Sequence, residues 1–142
     1  MKNSIGIHWF RKGLRLHDNP SLKLTLEKCS KVYPIFIWDP YFAKNGFAGP
    51  NRWRFLIEAL ADLDSSLRKL NSRLFVFRGK PTELLPKIIE DWSVSLLSFE
   101  KDTEPYARQR DQFVYDFCTK KDVEVITMSS HTLYDLDSLY KM

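Results

Sequence analysis

Five short apolar runs, rich in β-branched and aromatic residues, recur along the chain at Ile5–Phe10, Val32–Trp38, Leu74–Phe77, Leu96–Phe99 and Val123–Thr127. None shows the strict apolar–polar alternation of a sheet with one wet face, so each reads as a strand buried on both sides. Helix-length segments separate them. The clearest is the series Trp53, Leu56, Leu60, Leu63, Leu67 and Leu70, whose spacing of three and four puts all six on one stripe. Asn19 can cap a helix over Pro20–Lys28, with Pro20 in its first turn. Two more helices are expected over Pro81–Asp91, kinked at Pro86, and over Pro105–Lys121 with Tyr106, Phe113 and Phe117 inward. Strands that alternate with helices and are apolar on both faces require a parallel sheet covered on each side. The expectation is a doubly wound α/β domain of five parallel strands in the order 3-2-1-4-5. Its winding reverses between strands 1 and 4, which places a ligand crevice at the carboxyl ends of the strands. The loops facing that crevice are then 11–19, 39–51, 78–80 and 100–104.

A chain of 142 residues has room for one such domain and no second. No stretch approaches the ~20 consecutive apolar residues of a membrane span, and no apolar secretory core follows the first residues, so an intracellular protein is expected. The two cysteines, Cys29 and Cys118, lie far apart without metal-ligand spacing and are read as reduced and structural. The net charge of +4 combines 22 basic with 18 acidic residues, a balance compatible with nucleic acid that does not demand it.

The crevice loops carry no recognisable catalytic set. The first, Arg11-Lys12-Gly13-Leu14-Arg15-Leu16-His17-Asp18-Asn19, has one glycine and no Lys-Ser or Lys-Thr pair, so it is neither a dinucleotide turn nor a P-loop. Residue type alone favours Arg11, Lys12 and Arg15 as solvated charges or partners of nearby carboxylates. Asp102 and Glu104 stand at the amino end of the fourth helix, where two roles remain open. They cap the helix and complement its dipole, or they accept hydrogen bonds from a ring-bearing ligand. His8 and His131 lack ligand-spaced neighbours and are read as structural.

The run Trp9-Phe10-Arg11-Lys12-Gly13-Leu14-Arg15-Leu16-His17-Asp18-Asn19-Pro20 resembles the opening signature of photolyases and cryptochromes. The resemblance continues through Ile37-Trp38-Asp39-Pro40, Asn51-Arg52-Trp53-Arg54-Phe55-Leu56, Leu70-Asn71-Ser72-Arg73-Leu74, Asp102-Thr103-Glu104-Pro105 and Ser130-His131-Thr132-Leu133-Tyr134-Asp135. Several of these pieces look most like the branch of animal (6-4) photolyases and animal-type cryptochromes. The resemblance implies an amino-terminal, antenna-binding α/β domain, spanning residues 1–142 and cut before the linker and the helical domain. That missing domain would hold FAD, the flipped lesion and the tryptophan electron chain, so this chain alone is not expected to catalyse repair. Trp9, Trp38, Trp53 and Trp92 are then core or crevice residues. The family's antenna is an 8-hydroxy-5-deazaflavin or a folate, and the resemblance puts deazaflavin contacts on Phe36, Ile37, Asp39, Arg52, Asp102 and Glu104. An indole at Trp38, where the family more often has an aliphatic residue, would either stack on the antenna or fill its place. The implied partners are damaged DNA for a full-length photolyase, or proteins for a cryptochrome-type light receptor or circadian regulator. A monomer in the nucleus or cytoplasm is expected. A free-standing binding module and a non-functional fragment are the remaining readings.

Overall fold

The computed structural model describes residues 4–11, 14, 16, 19–40, 50–101 and 105–128. Among the described residues four helices each begin at a proline: α1 (Pro20–Lys28), α2 (Pro50–Lys69), α3 (Pro81–Asp91) and α4 (Pro105–Lys120). A first-turn residue has no intrahelical acceptor for its N–H, and the proline ring presets the helical φ. Asn19 caps α1, its side chain accepting from the Leu22 N–H at 3.1 Å. The helix α3 continues through Pro86.

Three helices end in the same way. Asn71, Ser93 and Asp122 adopt left-handed φ values of 62°, 52° and 56°. The following N–H then turns back on the last turn: Ser72 to the Leu67 carbonyl at 2.9 Å, Val94 to Ile89 at 2.9 Å, and Val123 to Cys118 at 2.8 Å. This Schellman arrangement satisfies carbonyls that would otherwise be orphaned at the helix end.

The strands are β1 (Ile5–Phe10), β2 (Lys31–Trp38), β3 (Phe75–Arg78), β4 (Leu96–Glu100) and β5 (Glu124–Met128). All pair in parallel, in the order β3-β2-β1-β4-β5, as the sequence pattern requires. The small offsets from the expected bounds have local causes. The Leu74 N–H donates to the Asp64 carboxylate at 2.9 Å, so the β3 ladder starts one residue later. Val123 is committed to the α4 cap, and β5 starts at Glu124.

The two faces of the sheet carry separate cores. On one, Ile7, Trp9, Ile35, Ile37, Leu97 and Phe99 pack beneath Leu85, Ile88 and Ile89 of α3 and Val114 and Cys118 of α4. On the other, Phe10 and Phe36 pack against Leu22 of α1 and Leu60, Leu63 and Leu67 of α2. α1 can sit close because β1 carries glycine beneath it: a Cβ on Gly6 would stand 2.7 Å from Cys29 Sγ and 2.9 Å from Thr25 Cγ2.

Two inward assignments are corrected. Phe113 is half exposed, because the buried stripe of α4 is Ala107, Arg110, Val114 and Cys118 and Phe113 stands one position off it. Leu70 is exposed, because α2 ends at Lys69 and the helical period no longer governs it. The edge strand β3 also departs from the two-sided pattern, leaving Val76 exposed while Phe75 and Phe77 pack on the α3 side.

Candidate functional site

The winding reverses between β1 and β4, so the carboxyl ends of β1, β2 and β4 frame the expected crevice. A cluster of aromatic and charged side chains fills one side of it. Trp9 and Phe99, on neighbouring strands, meet edge to face with centroids 5.4 Å apart. The guanidinium carbons of Arg11 and Arg110 each stand 5.0 Å from the Trp9 ring, and that of Arg11 stands 4.6 Å from Phe99. Arg11 donates to the Asp111 carboxylate at 2.5 Å and to the Glu100 carbonyl. Arg110 lies 3.3 Å from Asp111 and 3.7 Å from Asp39. Asp39 also accepts from the Tyr106 hydroxyl at 2.5 Å. The side chains of Arg11, Arg110 and Asp39 are only 7%, 6% and 4% exposed, which is tolerable for charges because each has an opposite charge beside it.

Sequence reasoning left Arg11 as a solvated or ion-paired charge, and the structure selects the ion pair. It missed Arg110 and Asp111 altogether. The signal was present: Arg110 falls in register with Ala107, Val114 and Cys118, and a charge on a buried stripe calls for a buried partner.

Deeper in the sheet, His8 anchors a second polar chain. Its Nε2 lies 3.2 Å from Asn19 Nδ2, and its Nδ1 lies 2.8 Å from Ser98 Oγ. Asn19 Oδ1 accepts from the Leu22 N–H and, at 3.1 Å, from the Ser21 hydroxyl, which turns the amide NH₂ towards the histidine. Nε2 must therefore accept, and the ring proton sits on Nδ1. Thr25 Oγ1 donates to the Ser21 carbonyl at 2.7 Å, so at its 2.6 Å contact it accepts from Ser98. Every group is satisfied with the imidazole neutral. Burial, with a smaller contribution from the nearby Arg11 charge, pushes the His8 pKa down to about 3. The structural role expected of His8 is what the geometry gives it. Both cysteines are free, and burial raises the thiol pKa of Cys29, and that of Cys118 to about 11, which disfavours the thiolate in each.

Of the residues singled out for a chromophore, Phe36 and Ile37 are buried on opposite faces of β2, in the two different cores. They do not share a wall. Asp39 follows β2 at the crevice and is engaged by Tyr106 and Arg110. Arg52 lies in the first turn of α2, and its side chain, with Asp102 and Glu104, falls outside the described residues. Trp38, at the end of β2, is half-buried and meets Phe36 edge to face at 5.6 Å. Away from the strand ends, an apolar groove of about 670 Å³ runs between α1 and the end of α2, lined by Leu22, Leu26, Leu67 and Leu70. Among the described residues no three metal-ligating groups gather, and no helix is long and apolar enough to cross a membrane.

Comparison with known proteins agrees with this architecture. The chain is 49% identical over 136 residues to cryptochrome-1 of Macaca fascicularis and to cryptochrome-2 of Gallus gallus, covering 96% of its own length and 23% of each relative. Among solved structures, the archaeal photolyase of Sulfolobus tokodaii, described with two FAD molecules and an implied novel light-harvesting cofactor, superposes with a TM-score of 0.82. It is 31% identical, over 88% of this chain and 29% of that one. The cryptochrome of Synechocystis superposes with a TM-score of 0.86 at 25% identity, over 98% of this chain and 30% of that one. The DNA photolyase family model matches residues 6–142, and the chain, an α/β domain of the photolyase and cryptochrome type, belongs to the DNA photolyase family.

Proposed function

We propose that this chain is the antenna-chromophore-binding α/β domain of a longer, flavin-dependent DNA photolyase of the (6-4) kind, in which FAD and the light-driven repair of pyrimidine lesions belong to a helical domain. The observation that supports it most is the winding reversal between β1 and β4, the point at which sheets of this kind take ligands, with Trp38 and Asp39 at the end of the adjoining β2. The ligand is a planar ring system with polar edges, an 8-hydroxy-5-deazaflavin or a folate. It lies between the end of β2 and the loop that carries Asp102 and Glu104, with Arg52 at its edge. The archaeal relative described with two FAD molecules adds FAD to the probes worth titrating.

Titration of the folded chain with these three chromophores, read by absorbance and fluorescence, tests the proposal. Glu104→Ala weakens deazaflavin binding by about 1–3 kcal/mol if Glu104 contacts the ligand, and leaves affinity unchanged if it only caps α4. Should none of the three bind, Trp38→Leu opens the crevice if the indole fills it. A folded Trp38→Leu chain that still binds none refutes antenna binding.

The 49% identity to animal cryptochromes favours a second reading, in which the same domain serves a blue-light receptor or circadian regulator and contacts partner proteins. Repair of a (6-4) lesion under blue light by the full-length protein distinguishes the two. Damaged DNA is the partner in the first case, with the whole protein acting as a monomer in the nucleus or cytoplasm.

A further inference from the structure

The two halves of α4 are held to the sheet by different forces. From Val114 onward the contact is apolar: Val114 and Cys118 are buried in the core with Ile7, Leu97 and Val123, and Phe117 packs against them. Before Val114, the only fully buried apolar side chain is the single methyl of Ala107. What binds that half is polar: Tyr106 to Asp39, Arg110 to Asp39 and over Trp9, and Asp111 to Arg11. These contacts reach the ends of β1 and β2, so they close over the Trp9 and Phe99 rings, each 2% exposed.

We propose that the amino-terminal half of α4 is a latch over the strand-end crevice, able to detach while its carboxyl-terminal half stays packed. Apolar packing is lost continuously as surfaces part, whereas directional bonds between a few charged groups exchange for water at once. A helix held half by each has its weak boundary where the two meet, at Phe113 and Val114. Detachment uncovers Trp9 and Phe99 and gives a ligand or partner access to Asp39 and Arg110. The latch is a property of the fold and stands whether or not a chromophore binds.

Hydrogen exchange on the whole chain, resolved by peptide mass spectrometry, reads the two halves separately. Tyr106→Phe removes one hydroxyl, and Asp111→Asn removes the charge facing Arg11. Each is expected to speed exchange of amides 109–113, the first with intrahelical acceptors, on the order of ten-fold, the worth of one charge-assisted bond, and to leave amides 114–120 unchanged. Val114→Ala, in the apolar half, is expected to speed both. Equal acceleration of the two halves in Tyr106→Phe, or none in either half, would overturn the latch. If Asp111→Asn fails to fold, Tyr106→Phe decides alone.

Discussion

Acidification tests the His8 network directly. In the folded chain the imidazole is neutral, with Nδ1–H given to Ser98 and Nε2 accepting from Asn19, and its pKa falls from 6.5 to about 3. In the unfolded chain the ring is in water and takes up a proton near pH 6.5. The unfolded state therefore binds more protons throughout the window between pH 6.5 and about 3, and stability must fall as pH drops through it. Above pH 6.5 the contribution is complete and constant. The slope is ~1.4 kcal/mol per pH unit for a single site, so lowering the pH to 4.5 costs about 3 kcal/mol and reaching the folded pKa costs about 5 kcal/mol. Domains of this size are stable by roughly 5–15 kcal/mol, so this one histidine accounts for a large share of acid lability. Urea unfolding at pH 7.5, 6, 5 and 4.5 measures the slope in wild type and in His8→Gln, whose side chain does not titrate. The variant is expected to be less stable at pH 7.5 and to lose less on acidification, by about 3 kcal/mol at pH 4.5. The carboxylates are common to both proteins and cancel in the difference. Parallel wild-type and variant curves would refute the neutral, buried assignment, as would His8 ring resonances that titrate near pH 6.5 in the folded protein.

Three further outcomes are expected. Ser93→Gly relieves a left-handed φ of 52° without disturbing the Val94-to-Ile89 bond, and should stabilise the chain by ~0.5–1 kcal/mol in denaturant unfolding. Gly6→Ala places a methyl 2.7 Å from Cys29 Sγ and 2.9 Å from Thr25 Cγ2, and should destabilise by ~1–3 kcal/mol, with partial recovery when combined with Cys29→Ala. The Asp64 carboxyl is held below its usual range by the Leu74 N–H and then by Arg68, so Asp64→Ala should cost about 1 kcal/mol at neutral pH. That cost should shrink as the pH falls through the folded-state pKa, which unfolding curves at pH 7 and pH 3 would show.

The fold was legible because its determinants are local and repeated. Two-sided apolar runs announced β1, β2 and β4, prolines marked the starts of α1, α3 and α4, and the rule for parallel sheets then supplied the order of strands, whereas the start of α2 at Pro50 lay inside what was read as a loop over 39–51. Where a local hydrogen bond takes priority over the ladder, as at Leu74 and Val123, the pattern misplaced a boundary by one residue. The strand-end cluster was far less legible. Arg11 and Asp111 are a hundred positions apart, and Asp39 and Tyr106 sixty-seven, and neither pair has a periodicity that joins it. An arginine or aspartate looks solvated by type, and only its register on a buried stripe says otherwise. His8 was recognisable as structural, yet its partners Ser98 and Thr25 arrive from β4 and α1 through tertiary packing alone.

The paired punctuation of α2, α3 and α4, a proline at the start and a left-handed residue past the end, divides the labour between the two rims of the sheet. At the rim where helices hand over to strands, turns are short and self-bonded, and Asn71, Ser93 and Asp122 deliver β3, β4 and β5 at a set phase. An inserted or deleted residue there would rotate the next strand's side chains to the wrong face. At the opposite rim each proline restarts the helical count afresh, so a preceding loop can lengthen or change composition without shifting anything downstream. Changes of loop length are thereby tolerated at the strand-end rim, where ligand binding is proposed, while the interior stays as it was.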